Sequence, residues 1–483
     1  MILLARSPFL AILAGLTVML ALEGRVIPWA MPLISLLTAV GVTVCSYRVE
    51  LKGQWRAAVL MLIIELLCSS WIAFCLTRSP VLPRFVVTTG IVVESRPWGR
   101  LQAVTVKTHQ GGFVLKLPFA TVVEGDRVRV EGTPKLFRST SSGSDFREDR
   151  FWRARGMMAQ LTSAKVESLS GAIPGFGLRF SAEALLQRWR YGLYRALALR
   201  LPHLTAAYLN ASWTGKRDEG LNAAHRVWGT SHLLAVSGFH VGILVAAASY
   251  FFKRGKRRFL GLSLLLWLYI LLTGASASAA RAGLMIQVAL LGELAGRPGS
   301  AINSVSLAAV LLLLRSPFWF WDIGWRLSVL AAVTIAAAAE RLSSDDGLLW
   351  LGVSPLIWIV TFPQVSWTFG ASPWVGVLIN LAAPAFFSFA LTVASIIALM
   401  CLFGIPGAAF GAGILEGAFA LWGIIADGAA RLIPWQAEWG FFASYCCAGI
   451  FILLLCRALF VPWRNVAVLV PLGALASFAL FGV

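Results

Sequence analysis

The 483-residue chain is 58% hydrophobic and 13% charged, with a mean hydropathy of +0.78. Soluble globular domains carry about 25% charged residues, so the composition excludes a soluble protein and points to a chain that crosses a bilayer repeatedly. The net charge of +19, from 41 Lys and Arg against 22 Asp and Glu, has two readings that only the placement of the charges can separate. One is cytoplasmic loops rich in cations; the other is a polyanionic partner.

Apolar runs near 8–22, 27–46 and 57–76 predict three helices in an N-terminal membrane region, 1–79. The first follows Arg6 and lacks a small-residue cleavage site, so it reads as a retained helix rather than a signal peptide. The pattern then changes. Val86–Glu94, Ala103–Lys107, Gly112–Leu117 and Arg127–Glu131 alternate apolar and polar residues between Gly-rich or charged turns. That predicts a small β domain over 80–170. A barrel of the OB type suits the size, although periodicity does not choose among small barrels.

Within 80–170 there are 14 Lys and Arg against 8 Asp and Glu, a net of +6, interleaved with Trp98, Phe113, Phe119, Phe146 and Trp152. Cations beside aromatic platforms are what a single nucleic-acid strand requires. Arg96, Trp98, Arg100, Lys107, Lys116, Arg127, Arg129, Arg147, Arg153 and Arg155 are the candidate contacts. The competing reading is that the aromatics fill the barrel and the charges solvate it.

Residues 171–224 hold amphipathic helices. The clearest is 177–200, where Leu185, Leu186, Trp189, Leu193 and Leu197 recur at helical spacing among arginines, as expected of a helix at a membrane interface. From 225 to 483 the chain is almost continuously apolar. It has room for seven to nine spans, with Pro317, Pro363, Pro373, Pro384 and Pro406 as possible breaks.

Charge sets the expected orientation. Lys253, Arg254, Lys256, Arg257 and Arg258 form a loop without acids, which belongs in the cytoplasm. Counting back from it, or forward from Arg6 with Arg48, Lys52 and Arg56 inside, places the β domain outside. The fold expected is a polytopic α-helical membrane protein with an inserted extracytoplasmic β-barrel, in a bacterial inner membrane. The domain's positive charge would then lie where the positive-inside rule does not account for it.

The segment GTSHLLAVSGFHVG (229–242) puts His232, Ser237 and His240 into an apolar run. A helix from 232 to 252, capped by Thr230 or Ser231, would set Ser237 and His240 on one face. It would also place Gly238 and Gly242 for close helix packing. A polar pore lining is the functional alternative. A hydrolase using Ser237 and His240 is a weaker one, because the G-x-S-x-G elbow is absent. Glu65, Arg281, Asp322, Glu416 and Asp427 are further charges within apolar stretches, expected to form interhelical ion pairs or a charged gate. The seven cysteines show no disulfide framework or zinc-ligand spacing, so no metal or cofactor is expected.

HLLAVSGFHVG (232–242) resembles the signature of the ComEC family of competence DNA channels. SDFREDRFWRARGMMA (144–159), LLTGASASAARAGLM (271–285), WDIGWRLSVLAAV (321–333) and Asn380 to Pro384 resemble further family segments in the same order. Phe239, Ala277 and Trp325-Arg326 depart from the usual pattern. The resemblance implies a channel passing single-stranded DNA inward, with His232, Ser237, Gly238, His240, Arg281, Arg326 and Asn380 at signature positions of the path. Another anionic solute is the alternative cargo. Many family members carry a metallo-β-lactamase-like domain. Neither H-x-H-x-D-H nor a phosphate-binding G-x-x-x-x-G-K-[ST] motif occurs here. A short, non-enzymatic form is therefore expected, with DNA receptor, motor and nuclease as separate chains.

Overall fold

The computed structural model describes residues 8–23, 27, 30–46, 55–78, 80–118, 122–137, 148–169, 178–234, 238–252, 255–273, 277–296, 300–342, 351–438, 440–459, 461 and 463–481. Three apolar helices open the chain: α1 (Pro8–Ala21), α2 (Met31–Ser46) and α3 (Trp55–Thr77). They pack together around a buried polar contact, where Ser35 donates to the Glu65 carboxylate.

Five strands follow: β1 (Val86–Trp98), β2 (Leu101–Thr108), β3 (Gly111–Leu117), β4 (Arg127–Lys135) and, after helix α4 (Glu148–Ala154), β5 (Met157–Ser168). They close into a barrel in the order β1-β2-β3-β5-β4. β3 runs parallel to β5 and the other pairs are antiparallel. This is the five-stranded Greek-key arrangement of OB-type barrels. A bulge between Val92 and Glu94 bends β1, so that its first half pairs with β4 and its second with β2. Val92, Val104, Phe113, Leu115, Val128 and Leu161 fill the interior.

Helix α5 (Leu178–Arg200) connects the barrel to the bundle. Glu183 pairs with Lys107, and the Arg188 Nε donates to the Gly125 carbonyl at 3.2 Å. The chain continues as α6 (His203–Trp213), α7 (Glu219–Val227), a 3-10 turn (Ser231–Leu234), α8 (Gly238–Ser249), α9 (Lys256–Leu272), α10 (Ala277–Leu294) and α11 (Ala301–Arg315). A second 3-10 turn (Pro317–Trp321) leads to α12 (Ile323–Ala339), α13 (Val353–Phe369), α14 (Val375–Leu402), α15 (Ala408–Leu432), α16 (Phe441–Ala458) and α17 (Trp463–Phe481). Short strands β6 (Ala371–Pro373) and β7 (Gln436–Glu438) pair between helix ends.

The bundle has three apolar clusters. One joins α1 and α3 to α11, α12, α16 and α17; a second joins α6 and α7 to α14 and α15; a third joins α8, α9 and α10. Val59–Thr77, Val375–Leu402 and Ala408–Leu432 are long and apolar enough to cross a membrane. Large apolar side chains such as Phe389, Phe410 and Ile424 are exposed on α14 and α15, as lipid-facing surfaces require.

Two expectations are corrected. Pro363 and Pro384 lie inside continuous helices rather than breaking them. Near Pro384, Ser388 Oγ donates to the Pro384 carbonyl at 2.5 Å, the i−4 back-bond that serine commonly makes inside a helix. The helix expected from 232 to 252 begins instead at Gly238. Thr230 is tied back to His225, its Oγ1 2.8 Å from His225 Nδ1. The chain therefore turns before the helix starts, and His232 and His240 share no helix.

Candidate nucleic-acid interface

In an OB-type barrel, the β1–β2 and β4–β5 connections flank the face that takes oligonucleotides. Here the β1–β2 hairpin ends in Trp98, and the β4–β5 connection contains Phe137 and α4. Trp98 lies 5.5 Å from Phe151 and 5.0 Å from Trp152, ring centroid to centroid. The Arg96 guanidinium sits over Trp98, Phe151 and Trp152 at 5.4, 4.9 and 5.7 Å, and Lys116 Nζ lies 5.7 Å from the Trp98 ring. Arg155 stacks 3.6 Å from the Phe151 centroid while donating to the Phe151 carbonyl at 3.0 Å. Such contacts hold guanidinium groups in place without neutralising them.

This end of the barrel leans on the bundle. Trp319 Nε1 donates to the Ala154 carbonyl at 2.6 Å. Arg153 lies over Phe318 at 5.3 Å; Arg150 lies over Trp321 at 4.2 Å and pairs with Glu23. Just past the 3-10 turn, Asp322 Oδ2 is 3.8 Å from Arg281 Nη1. Arg326, one turn into α12, donates to the Phe320 carbonyl at 2.7 Å. Burial pulls Arg155 below the ordinary arginine value; nearby Asp322 opposes that shift, and Arg96 adds to it. The junction thus gathers seven cations (Arg96, Lys116, Arg150, Arg153, Arg155, Arg281, Arg326) against Glu23, Glu94, Glu148 and Asp322.

The residues singled out from sequence fall into distinct places. Arg96, Trp98, Lys116, Arg153 and Arg155 meet Arg281 and Arg326 at the junction. Arg100 is exposed on the turn beyond Trp98. Lys107 is engaged by Glu183, and Arg129 pairs with Glu131 at 3.0 Å on the barrel surface. Arg127 is half-buried at the start of β4. Arg147 and Ser237 lie outside the described residues. Gly238 and His240 stand in the first turn of α8, and His232 is exposed on the 3-10 turn. Asn380 Nδ2 reaches the Gly229 carbonyl at 3.4 Å.

The expected aromatic platforms need correcting. Trp152 and Phe113 are buried at 0% and 1% exposure, so neither can stack on a base. Phe119 and Phe146 lie outside the described residues. Trp98 and Phe151 are half-exposed. Arg150 and Trp319 were not singled out from the sequence, and Trp321 only as the first residue of the WDIGWR segment; the aromatic run Pro317–Trp321, which overlaps that segment, was the signal for the two tryptophans.

The acidic residues correct a further expectation. Glu416 makes no ion pair among the described residues. Its carboxylate accepts from Leu204 N, Thr205 N and Thr205 Oγ1 at 2.9, 2.8 and 2.9 Å, capping the start of α6. Asp427 accepts from the Trp228 indole at 2.8 Å. Both carboxylates stand on α15 and hold the 203–229 segment against it. Within that segment, buried His225 bonds Tyr208 Oη at 2.8 Å, and burial pushes its imidazole down to about 4.

These features define an apolar helical bundle, with helices fit to cross a membrane, that carries a basic OB-type barrel over one end. The chain belongs to the competence protein family, whose pattern matches residues 214–465, more than half of its length. It is 26% identical over 341 residues to ComE operon protein 3 of Bacillus subtilis (strain 168). That alignment covers 61% of this chain and 43% of the relative, so the chain matches less than half of that protein's length. No solved structure matches.

Proposed function

We propose that the chain is a channel that passes a single DNA strand through the bacterial inner membrane during competence. The barrel lies on the outer side, and the bundle forms the path. The observation that carries this reading is the junction: the β4–β5 connection of the barrel, with Trp98 of the β1–β2 connection packed on it, rests on the 3-10 turn that leads to α12, beside Arg281 and Arg326. A strand leaving the barrel would meet more cations than carboxylates among the described residues, with phosphates neutralised by arginine and bases offered Trp98 and Phe151. Orientation by charge supports it. Lys256, Arg257 and Arg258 form the first turn of α9, whereas the opposite end of α9, at Thr273, lies within 4 Å of where a side chain at Gly215 would begin. Gly215 adjoins Lys216, which pairs with Glu124 of the barrel at 3.3 Å. The basic start of α9 and the barrel therefore lie toward opposite ends of that helix, which supports reading the one as cytoplasmic and the other as outer.

No step in this reading calls for bond chemistry, and DNA receptor, motor and nuclease are separate proteins in it. The test is uptake of labelled DNA in a deletion strain complemented with the wild-type gene, Arg155→Gln or Arg326→Gln. Each variant should reach the membrane at normal abundance and lower uptake at least about tenfold, the scale of one lost charged contact. Wild-type uptake by both variants would refute the junction as the path.

A further inference from the structure

Arg281 is 3% exposed, yet its Nε and Nη1 make no hydrogen bond among the described residues. A buried guanidinium with unmet donors is costly. Its counter-charge, Asp322, stands 3.8 Å away, outside hydrogen-bond range. Gly324 places no side chain against the pair: a Cβ there would lie 3.4 Å from Asp322 Oδ2 and 3.8 Å from Arg281 Nη2. Arg155 and Arg326 flank the same carboxylate. Charge is therefore balanced at Arg281, but its hydrogen bonds are not.

We propose that Asp322 is a resident stand-in for a phosphodiester, holding the Arg281 position until a phosphate of the incoming strand displaces it. A phosphodiester carries the same single negative charge as the carboxylate. It can also accept from a guanidinium in the two-pronged geometry that Asp322 does not reach. The exchange is neutral in charge and gains hydrogen bonds. Asp322, at the start of α12 and 20% exposed, can turn outward because its side chain makes no cap hydrogen bond. The carboxylate thus closes the arginine junction to other anions and yields to a strand that brings several phosphates at once. This inference rests on the proposed DNA path and names the contact that opens it.

The test measures binding of an abasic single-stranded oligonucleotide, a phosphodiester chain without bases, to the full chain in phosphatidylcholine nanodiscs. Asp322→Asn keeps a helix-capping residue and removes the charge. It should bind about tenfold tighter than wild type, the order expected for one unit charge about 10 Å from a phosphate at an effective dielectric of ~20. Its salt dependence should steepen by roughly 0.7 in log–log slope, one further phosphate neutralised. Adding Arg281→Gln to Asp322→Asn should abolish both gains, and the double variant leaves no unpaired buried charge to unfold the site. Equal or weaker binding by Asp322→Asn beside measurable wild-type binding overturns the stand-in and leaves the path intact. No binding by either protein overturns the path itself. A lipid headgroup carries the same phosphodiester. If short-chain phosphatidylglycerol binds more tightly to Asp322→Asn while the oligonucleotide does not, the strand is not the ligand.

Discussion

Replacing Glu416 with Ala tests whether this carboxylate is a structural cap. Three donors converge on it: the Leu204 and Thr205 amides and the Thr205 hydroxyl, at 2.8–2.9 Å. Thr205 is 0% exposed, so water does not readily replace the acceptor for its donors. Hydrogen bonds to a charged acceptor contribute about 1.5–3 kcal/mol each, and orphaned buried donors carry a cost of their own. The three share one carboxylate and one helix end, so they do not add fully. The expected loss is about 3–4 kcal/mol, while Glu416→Gln, which keeps one acceptor oxygen, should lose about half of that. With 20 tryptophans in the chain, intrinsic fluorescence in detergent reports unfolding directly. At about 1 °C per kcal/mol for a chain of this size, the alanine variant should melt about 3–4 °C lower. If it melts with the wild type, the carboxylate is not holding α6, and a role as a charged gate regains its standing.

Gly229 has φ +70°, and a Cβ there would meet Gly376 Cα at 2.9 Å. Gly229→Ala should lower stability by about 1–3 kcal/mol, read by the same fluorescence melt, whereas Gly242→Ala, with open space around it, should change little. His225 folds with its imidazole pushed down to about 4 from 6.5. Its contribution is therefore complete above about pH 6.5 and is lost as pH falls toward 4, because the unfolded chain takes up the proton first. The loss is at most about 3 kcal/mol. His225→Gln should flatten the slope of melting temperature between pH 4.5 and 6.5, and an unchanged slope would place the titrating group elsewhere.

The barrel was legible because four of its strands alternate apolar and polar residues between glycine or charged turns, a period of two that few other structures produce. β5 was not. Met157 to Ser168 alternates in burial, but its inward positions include Met and Ala, and the single Gly156 between α4 and the strand was not read as a turn. The helical regions were legible from apolar length alone, yet apolar length is silent on what the polar residues inside do. Glu416 and Asp427, three helical turns apart, looked like partners for cations on neighbouring helices. Their donors are a helix N-terminus and an indole, supplied by residues about 200 positions away in sequence. No local pattern contains such a pairing.

The same limit explains the junction. Arg155 read as one of ten candidate contacts on the barrel and Arg326 as a cation at a signature position of the helices, with nothing to join them; what relates them is their proximity to a common carboxylate, Asp322. The 3-10 turn Pro317–Trp321 makes that approach possible. Its rings Phe318 and Trp321 take Arg153 and Arg150 by their faces, and Trp319 fixes the α4 backbone, so the barrel is seated mainly by aromatic contacts, which do not themselves cancel charge, together with the Arg150–Glu23 ion pair. Had carboxylates seated it instead, each docking contact would have cancelled a cation, and the surface left at the bundle's mouth would have been neutral. An aromatic seat and a sparse set of acids give a junction that is mechanically joined and still positive. A polyanion passing from barrel to bundle needs both properties at the same place.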